Sequence, residues 1–229
     1  MSGRVVVVTG GGKGIGAAVA ARFKAAGDEV VAATHEDCDV TDEAAVAEFF
    51  AHVGRVDVLV NNAGVSASAP VERTTLDDWE AQFDVNATGA FLCTRAVLPG
   101  MKERNRGRVI TVASTAGLRG ARYTAAYTGS KHAAVGLMRA VAAEVTGTGV
   151  TANAVCPAFV ATDMTRRSVE RIVASTGKPE QVAEDTLAAA SPLGRLLTAE
   201  EVAFAVAFLA ADEAVAINGQ TLVLDGGGQ

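Results

Sequence analysis

The segment Arg4 to Thr9, R-V-V-V-V-T, is a short run of β-branched residues with almost no alternation. Such a run suits a strand buried on both faces, as in a parallel sheet covered by helices. It ends in Gly10-Gly11-Gly12-Lys13-Gly14-Ile15-Gly16, and an Ala-rich segment with helical periodicity follows from Ala17 to about Ala26. Gly27 stops that helix, and Glu29 to Ala33 reads as a second strand. The glycines permit a tight turn and close backbone approach. The helix start offers free N–H groups to a pyrophosphate. A glycine-rich loop without a ligand is the plain alternative, and the strand before it and the helix after it favour the nucleotide.

The next stretch departs from this regularity. Only about four residues separate the second strand from Cys38-Asp39-Val40. A parallel crossover needs a dozen or more, usually a helix. Any third strand must be very short, so a sheet trimmed at that edge is expected. Thr41 or Asp42 caps a helix to about His52, and Val56 to Val60 is the next buried strand. Asn61-Asn62-Ala63-Gly64 follows it, at the strand end where a parallel sheet binds ligands. Ser66 to Pro70 is a loop. A helix starts near Thr75 and carries the only tryptophan, Trp79, read as packing. Asp84 to Arg104 is expected to be helical, with Asn86 near its start and Pro99 and Gly100 disturbing its end. Arg108 to Ala113 is a strand that delivers Ser114 to the same sheet edge as the glycine turn.

Both tyrosines of the chain lie in the segment from Ser114 to Lys131. Tyr127 and Lys131 are one turn apart on one helix face, in a long Ala-rich helix from Ala125 to about Val145. A lysine ammonium beside a phenol favours the phenolate, so Lys131 is expected to lower the Tyr127 pKa. Gly149 to Cys156 is a further strand, followed by Pro157-Ala158-Phe159-Val160-Ala161-Thr162. The polar stretch from Asp163 to Arg195 has no strand and reads as a substrate lid over about 163–195. Thr198 opens a capped helix to about Ala211, and Thr221 to Leu224 is the last strand.

The bulk properties narrow the class. A chain of 229 residues with 49% apolar content is long enough for one α/β domain, 1–229, with a sizeable core. A net charge of −6 argues against nucleic acid as the main partner. Cys38, Cys93 and Cys156 are far apart and form no metal-binding pair, so no metal is expected and reduced cytosolic thiols are. Met1 to Arg4 leads straight into a strand, unlike a secretory signal, and no apolar run is of membrane-spanning length. A cytoplasmic protein with no membrane partner is expected. The sequon Asn86-Ala87-Thr88 is read as chance.

Taken together, Thr9-Gly10-x-x-x-Gly14-x-Gly16, Asp39-Val40, Asn61-Asn62-Ala63-Gly64, Asn86, Ser114, Tyr127-x-x-x-Lys131 and Pro157-x-x-Val160-x-Thr162 resemble the short-chain dehydrogenase/reductase family over essentially the whole chain. The resemblance implies a single Rossmann-type, doubly wound parallel sheet of six to seven strands with helices on both faces. It implies that Tyr127 is the acid in reduction or the base in oxidation. Lys131 would lower its pKa and hold the nicotinamide ribose, and Ser114 would orient the substrate oxygen. Asn86 would kink its helix and hold a water linking Lys131 to solvent. The cofactor would lie against Gly10, Gly12, Lys13, Gly14, Ile15 and Gly16. Asp39 and Val40 would frame the adenine, Asn62-Ala63-Gly64 the ribose side, and Pro157, Val160 and Thr162 the nicotinamide.

Two departures stand out. Ala158 occupies a position where the family usually has glycine, and the helix that normally precedes Asp39 is missing. The residue closing the second strand is Thr34, followed by His35, rather than an acid. Lys13 in the turn suits a 2′-phosphate, so NADP(H) is favoured over NAD(H). Glu36 or Asp37 swinging into the acid's role is the competing reading. The segments A-A-Y-T-G-S-K-H-A-A-V-G-L and I-N-G-Q-T-L-V-L-D-G-G resemble 3-oxoacyl-thioester reductases and 3-hydroxyacyl dehydrogenases. A small carbonyl or alcohol substrate follows, an acyl-CoA or acyl-carrier thioester fitting Arg119, Arg122, Arg166, Arg167 and Arg171 as phosphate-steering groups. Leu118, Phe159 and Met164 are candidates for an acyl pocket. An NAD-dependent 3-hydroxy acid or other secondary-alcohol dehydrogenase is the alternative, and a non-catalytic redox sensor a remote one. Family members are commonly homotetramers, and the same is expected here.

Overall fold

The computed structural model describes residues 3–189 and 191–228. Its centre is β1 (Val5–Thr9), flanked in a parallel sheet by β2 (Glu29–Ala33) and β3 (Val58–Asn61). The sheet continues through β4 (Gly107–Val112), β5 (Val150–Pro157) and β6 (Thr221–Leu224), in the order β2-β1-β3-β4-β5-β6. In-register partners such as Val7 with Val31 and Leu59, and Ile110 with Asn153, fix which face each side chain meets. Val7, Leu59, Val109 and Ala152 face one apolar layer; Val6, Val8, Val58, Val60, Ile110 and Val155 face the other. This alternation of apolar with apolar explains why the strands show no hydrophobic period in sequence.

Helices α2 (Glu43–Val53), α4 (Gly89–Glu103) and α5 (Ala125–Glu144) cover the first face. The second is covered by α1 (Gly14–Ala25) and α8 (Ala199–Leu209). Asp42 caps α2 by accepting from Ala44 and Ala45, and Thr198 with Glu201 forms the capping box of α8. From β1 the chain crosses to β2 on one side and then returns past β1 to β3 on the other, so the crevice at the switch point opens between β1 and β3.

The trimmed edge is present: β2 ends the sheet, and Cys38-Asp39-Val40 forms turns rather than a strand. Asp37 accepts from the N–H and hydroxyl of Thr34, and Asp39 from those of Thr41, so side chains organise the segment instead of a ladder. The helix expected from Asp84 to about Arg104 is present, but its first turn is π-helical. Helix α3 (Leu76–Phe83) runs into a π-helical turn at Asp84–Thr88, and only then into α4. Pro99 lies inside α4 near its end without terminating it. Trp79 stacks on Phe83 against Gly129 of α5, a packing role as expected. Helices α6 (Asp163–Thr176) and α7 (Glu180–Ala188) join through Val169, Ala183 and Leu187 into a small cluster of their own. Among the described residues, no helix is long and apolar enough to cross a membrane, and no group of three metal-ligating side chains is assembled.

Candidate active site

The glycine turn is built as its sequence suggests. Gly10 and Gly14 have φ of 63° and 52°, where a side chain is strained. Gly11 donates to Ala33, tying the turn to β2. A Cβ on Gly16 would collide with the Gly10 carbonyl and lie 2.5 Å from Asn62 Nδ2. Asn62 is the brace: its amide donates to the carbonyls of Thr9 and Gly10 at 2.9 and 3.1 Å. The Thr9 hydroxyl accepts from the N–H groups of Asn62 and Ala63. No side chain caps the start of α1. That start therefore fits a phosphate, because its first N–H groups have no acceptor within the helix.

The side chains of other cofactor candidates are placed differently. Ile15 packs partly buried against the α1–α8 core, while Val40 (8% exposed) and Val160 (5%) are buried, so mainly the backbones of these two valines are left to meet a cofactor. Thr162 lies against Gly14, within van der Waals reach of a Cβ there. Lys13 and Gly12 are exposed at the turn, and His35 is exposed with Nδ1 3.8 Å from Asp39. Hydrogen bonds from Thr41 hold the Asp39 carboxyl below its usual range. Pro157 ends β5, and Ala158 donates to Leu224 without adopting a left-handed backbone, so the alanine is accommodated where glycine is usual.

Around Tyr127 the groups converge. Ser114 caps a short 3-10 turn just past β4, accepting from Ala116 at 3.1 Å. Lys131 is 5% exposed, and its ammonium donates to the Val112 carbonyl at 3.0 Å and lies 5.9 Å from the Tyr127 ring centre. Gly64 approaches it closely; a Cβ there would sit 3.5 Å from Nζ. Burial pulls the Lys131 pKa down to about 8. Burial also raises the Tyr127 phenol, and the nearby Ser114 hydroxyl pulls it back down. Beside Lys131, which the spacing singles out, Ser114 is thus a second neighbour that favours the phenolate. The Lys131 ammonium itself is directed at a backbone carbonyl.

Asn86 sits in the π-helical turn, 3% exposed, which rules it out as a glycosylation acceptor in the folded protein. Its Oδ1 accepts from Val65, and its Nδ2 donates to the Val65 carbonyl and to Ser130 Oγ. Ser130 in turn donates to the Tyr127 carbonyl at 3.0 Å. Both amide hydrogens of Asn86 are thus committed, and its Oδ1 keeps one lone pair for a water.

Three further residues were not singled out from the sequence. Ser130 lies in the Y-x-x-S-K register, beside the known pair but of a common type. Gln82, 3% exposed, accepts from Ala67. Tyr123 accepts through its carbonyl from Ala69. From the lid, Arg171 donates to the Ser66 carbonyl at 3.1 Å. Arg166 is taken up by Asp163 and Glu170, which removes its free charge, and Arg119 donates to the Gly228 carbonyl. Phe159 and Met164 are partly exposed, while Leu118 packs on the core.

The family profile described as enoyl-(acyl carrier protein) reductase matches residues 32–229. The chain is 37% identical to an acetoacetyl-CoA reductase of Shinella zoogloeoides, covering 98% of each. It is 39% identical to a 3-oxoacyl-(acyl-carrier-protein) reductase of Mycobacterium tuberculosis, covering 98% of this chain and 92% of that one. A variant of the actinorhodin polyketide ketoreductase solved with NADPH superimposes with a TM-score of 0.88 at 34% identity, over 100% of this chain and 99% of the other. The chain belongs to the short-chain dehydrogenase/reductase family and is an oxidoreductase of that class.

Proposed function

We propose that this enzyme reduces the ketone of a 3-oxoacyl thioester using NADP(H), with Tyr127 as the proton donor. The observation that carries the reading is the meeting of Tyr127, Ser114 and buried Lys131 at the sheet edge that also holds the uncapped glycine turn. The relatives named as acetoacetyl-CoA and 3-oxoacyl reductases support the substrate class.

The residues divide the work as follows. Tyr127, its pKa raised by burial, stays protonated at neutral pH and is suited to donate to a carbonyl oxygen as negative charge develops there. Ser114 orients the same oxygen. Lys131 uses one of its three N–H donors on Val112, leaving two for ribose hydroxyls. Asn86 and Ser130 hold the turn of α5 that presents Tyr127. When bound, the nicotinamide supplies the hydride. Gly10, Gly12, Gly14 and Gly16 give the phosphates room, and the backbones of Asp39, Val40, Asn62, Pro157 and Val160, with Thr162, line the rest. The lid over 163–195 covers the substrate.

Lys13, exposed at the turn with no carboxylate partner among the described residues, supports NADP(H). Asp37 supports the second reading, an NAD-dependent 3-hydroxy acid dehydrogenase. Its carboxylate sits on Thr34 at the end of β2, where an acid meets a ribose hydroxyl. Apolar side chains exposed on α8 (Phe204, Phe208) and α4 (Phe91) support a homotetramer.

The test is Tyr127→Phe. Turnover of acetoacetyl-CoA is expected to fall by about 10²–10⁴, with NADPH fluorescence titrations nearly unchanged. Near-normal rates in the variant would rule out this mechanism. Tighter binding of NADH than of NADPH by the parent would favour the second reading.

A further inference from the structure

Tyr123 has a φ of 66°, in the left-handed region where glycine is at ease and a ring-bearing residue is an outlier. Core packing does not account for it, because Tyr123 is 55% exposed. What the strained backbone does is local. The Tyr123 carbonyl is turned to accept from Ala69 at 2.8 Å, and the ring is sent outward at the start of α5. There the Arg122 guanidinium lies over it, 5.3 Å from the ring centre, and donates to its hydroxyl at 3.3 Å. A flexible arginine is thereby held in place before any ligand arrives.

Tyr123 sits between Ser114 and Tyr127, at the end of the loop that leads into α5. It lines a recess with Ala67, Ser68, Ala69, Ala125 and Ala126, and Thr74, Asp78 and Gln82 complete its wall. The recess holds about 100 Å³, room for a few waters. A recess of that size does not hold a thioester arm, which leaves the exposed Arg122 to meet one at the surface. Arg122 stands five residues before Tyr127, so it meets a part of the substrate remote from the reacting carbon. Its charge is also available. Arg166 is neutralised by Asp163 and Glu170, whereas Arg122 has no carboxylate partner among the described residues and is exposed. One of its five N–H donors is used on Tyr123.

We propose that Arg122, held over the Tyr123 ring, anchors a phosphate carried by the substrate away from its reacting carbonyl. This rests on the thioester reading above and deepens it. The acid/base centre reads the ketone, and Arg122 reads the phosphorylated arm. An anchor that grips the arm equally in the ground and transition states acts on KM and leaves kcat alone.

The experiment compares two substrates with the same reacting group: acetoacetyl-CoA, and the acetoacetyl thioester of N-acetylcysteamine, which lacks any phosphate. Arg122→Ala is expected to raise KM for acetoacetyl-CoA roughly ten- to hundredfold, the loss of one charge-assisted contact. It leaves kcat and the constants for the phosphate-free thioester unchanged. Tyr123→Gly, which relieves the backbone and frees the arginine, raises the same KM several-fold with no loss of thermal stability. The Arg122 effect shrinks as salt is raised. Acetoacetyl-carrier protein separates the sources. An effect there as well assigns the phosphate of the pantetheine arm, and an effect with coenzyme A alone assigns its nucleotide phosphates. A parent enzyme that reduces both thioesters, with Arg122→Ala changing neither or both equally, overturns the anchor alone. A parent that reduces neither thioester overturns the substrate reading and the anchor with it.

Discussion

Asn86 holds Val65 at two points, accepting from its N–H at 2.9 Å and donating to its carbonyl at 3.0 Å. A side-chain amide paired this way imitates a strand partner for a segment that has none. The same Nδ2 reaches Ser130 one turn beyond Tyr127, so one buried residue fixes the loop after β3 and the helix carrying the phenol. Asn86→Ala leaves these groups unpaired in a buried site. It is expected to cost about 2–3 kcal/mol of stability, read by urea unfolding, and to lower kcat more than it raises KM.

Ser114→Ala bears on the phenol directly. Ser114 is a neighbour that pulls the Tyr127 pKa down, so its removal lets burial push the value further up. In the reductive direction the rate falls as Tyr127 loses its proton. The alkaline limb of the kcat profile is therefore expected to move to higher pH in the variant. An unmoved limb would mean that another group governs it.

Lys131 couples the site to stability. Its pKa is about 8 in the folded protein against 10.5 ordinarily. Between these values the unfolded chain binds a proton that the folded chain does not, so this residue's contribution to stability rises with pH across that window. Lys131→Met abolishes the rise. Its stability advantage over the parent at pH 7 should narrow as pH approaches 10, by at most about 1.4 kcal/mol for each pH step of one inside the window. Guanidinium titrations at several pH values measure this.

Two glycines predict opposite outcomes. Gly16→Ala drives a methyl into the Gly10 carbonyl and Asn62, and is expected to destabilise by about 1–3 kcal/mol and to abolish nucleotide binding. Gly136, exposed in the middle of α5, has nothing within 4 Å of the same added carbon. Gly136→Ala should stabilise by about 1 kcal/mol. Thermal melts of the two variants decide.

The strands and most helices were legible because their signals are local: β-branched runs, caps at Asp42 and Thr198, and glycines at positive φ. The trimmed edge was legible by counting, since four residues cannot cross a sheet. What escaped had distant causes. The π-helical turn around Asn86 depends on Val65 and Ser130, 21 and 44 residues away. Helical periodicity cannot register a single extra residue per turn. Spacing points to Lys131 as a neighbour that acidifies Tyr127 and does not register Ser114 as another. The register puts Tyr127 and Lys131 on one face, but it does not say that the ammonium turns to the Val112 carbonyl. Likewise Asp37 could be named as a candidate acid, but its seat on Thr34 could not be foreseen.

The loop after Gly64 has a consequence for how the enzyme breathes. The amides of Val65, Ala67 and Ala69 are bonded in turn to Asn86, Gln82 and Tyr123, while Arg171 of the lid holds the Ser66 carbonyl. Four separate elements thus share one short segment, and none can let go without loosening the grip of the others. Local opening at such a place is a cooperative event. The three alternate amides should show one common protection factor against deuterium exchange, and that factor gives the free energy at which the segment comes undone.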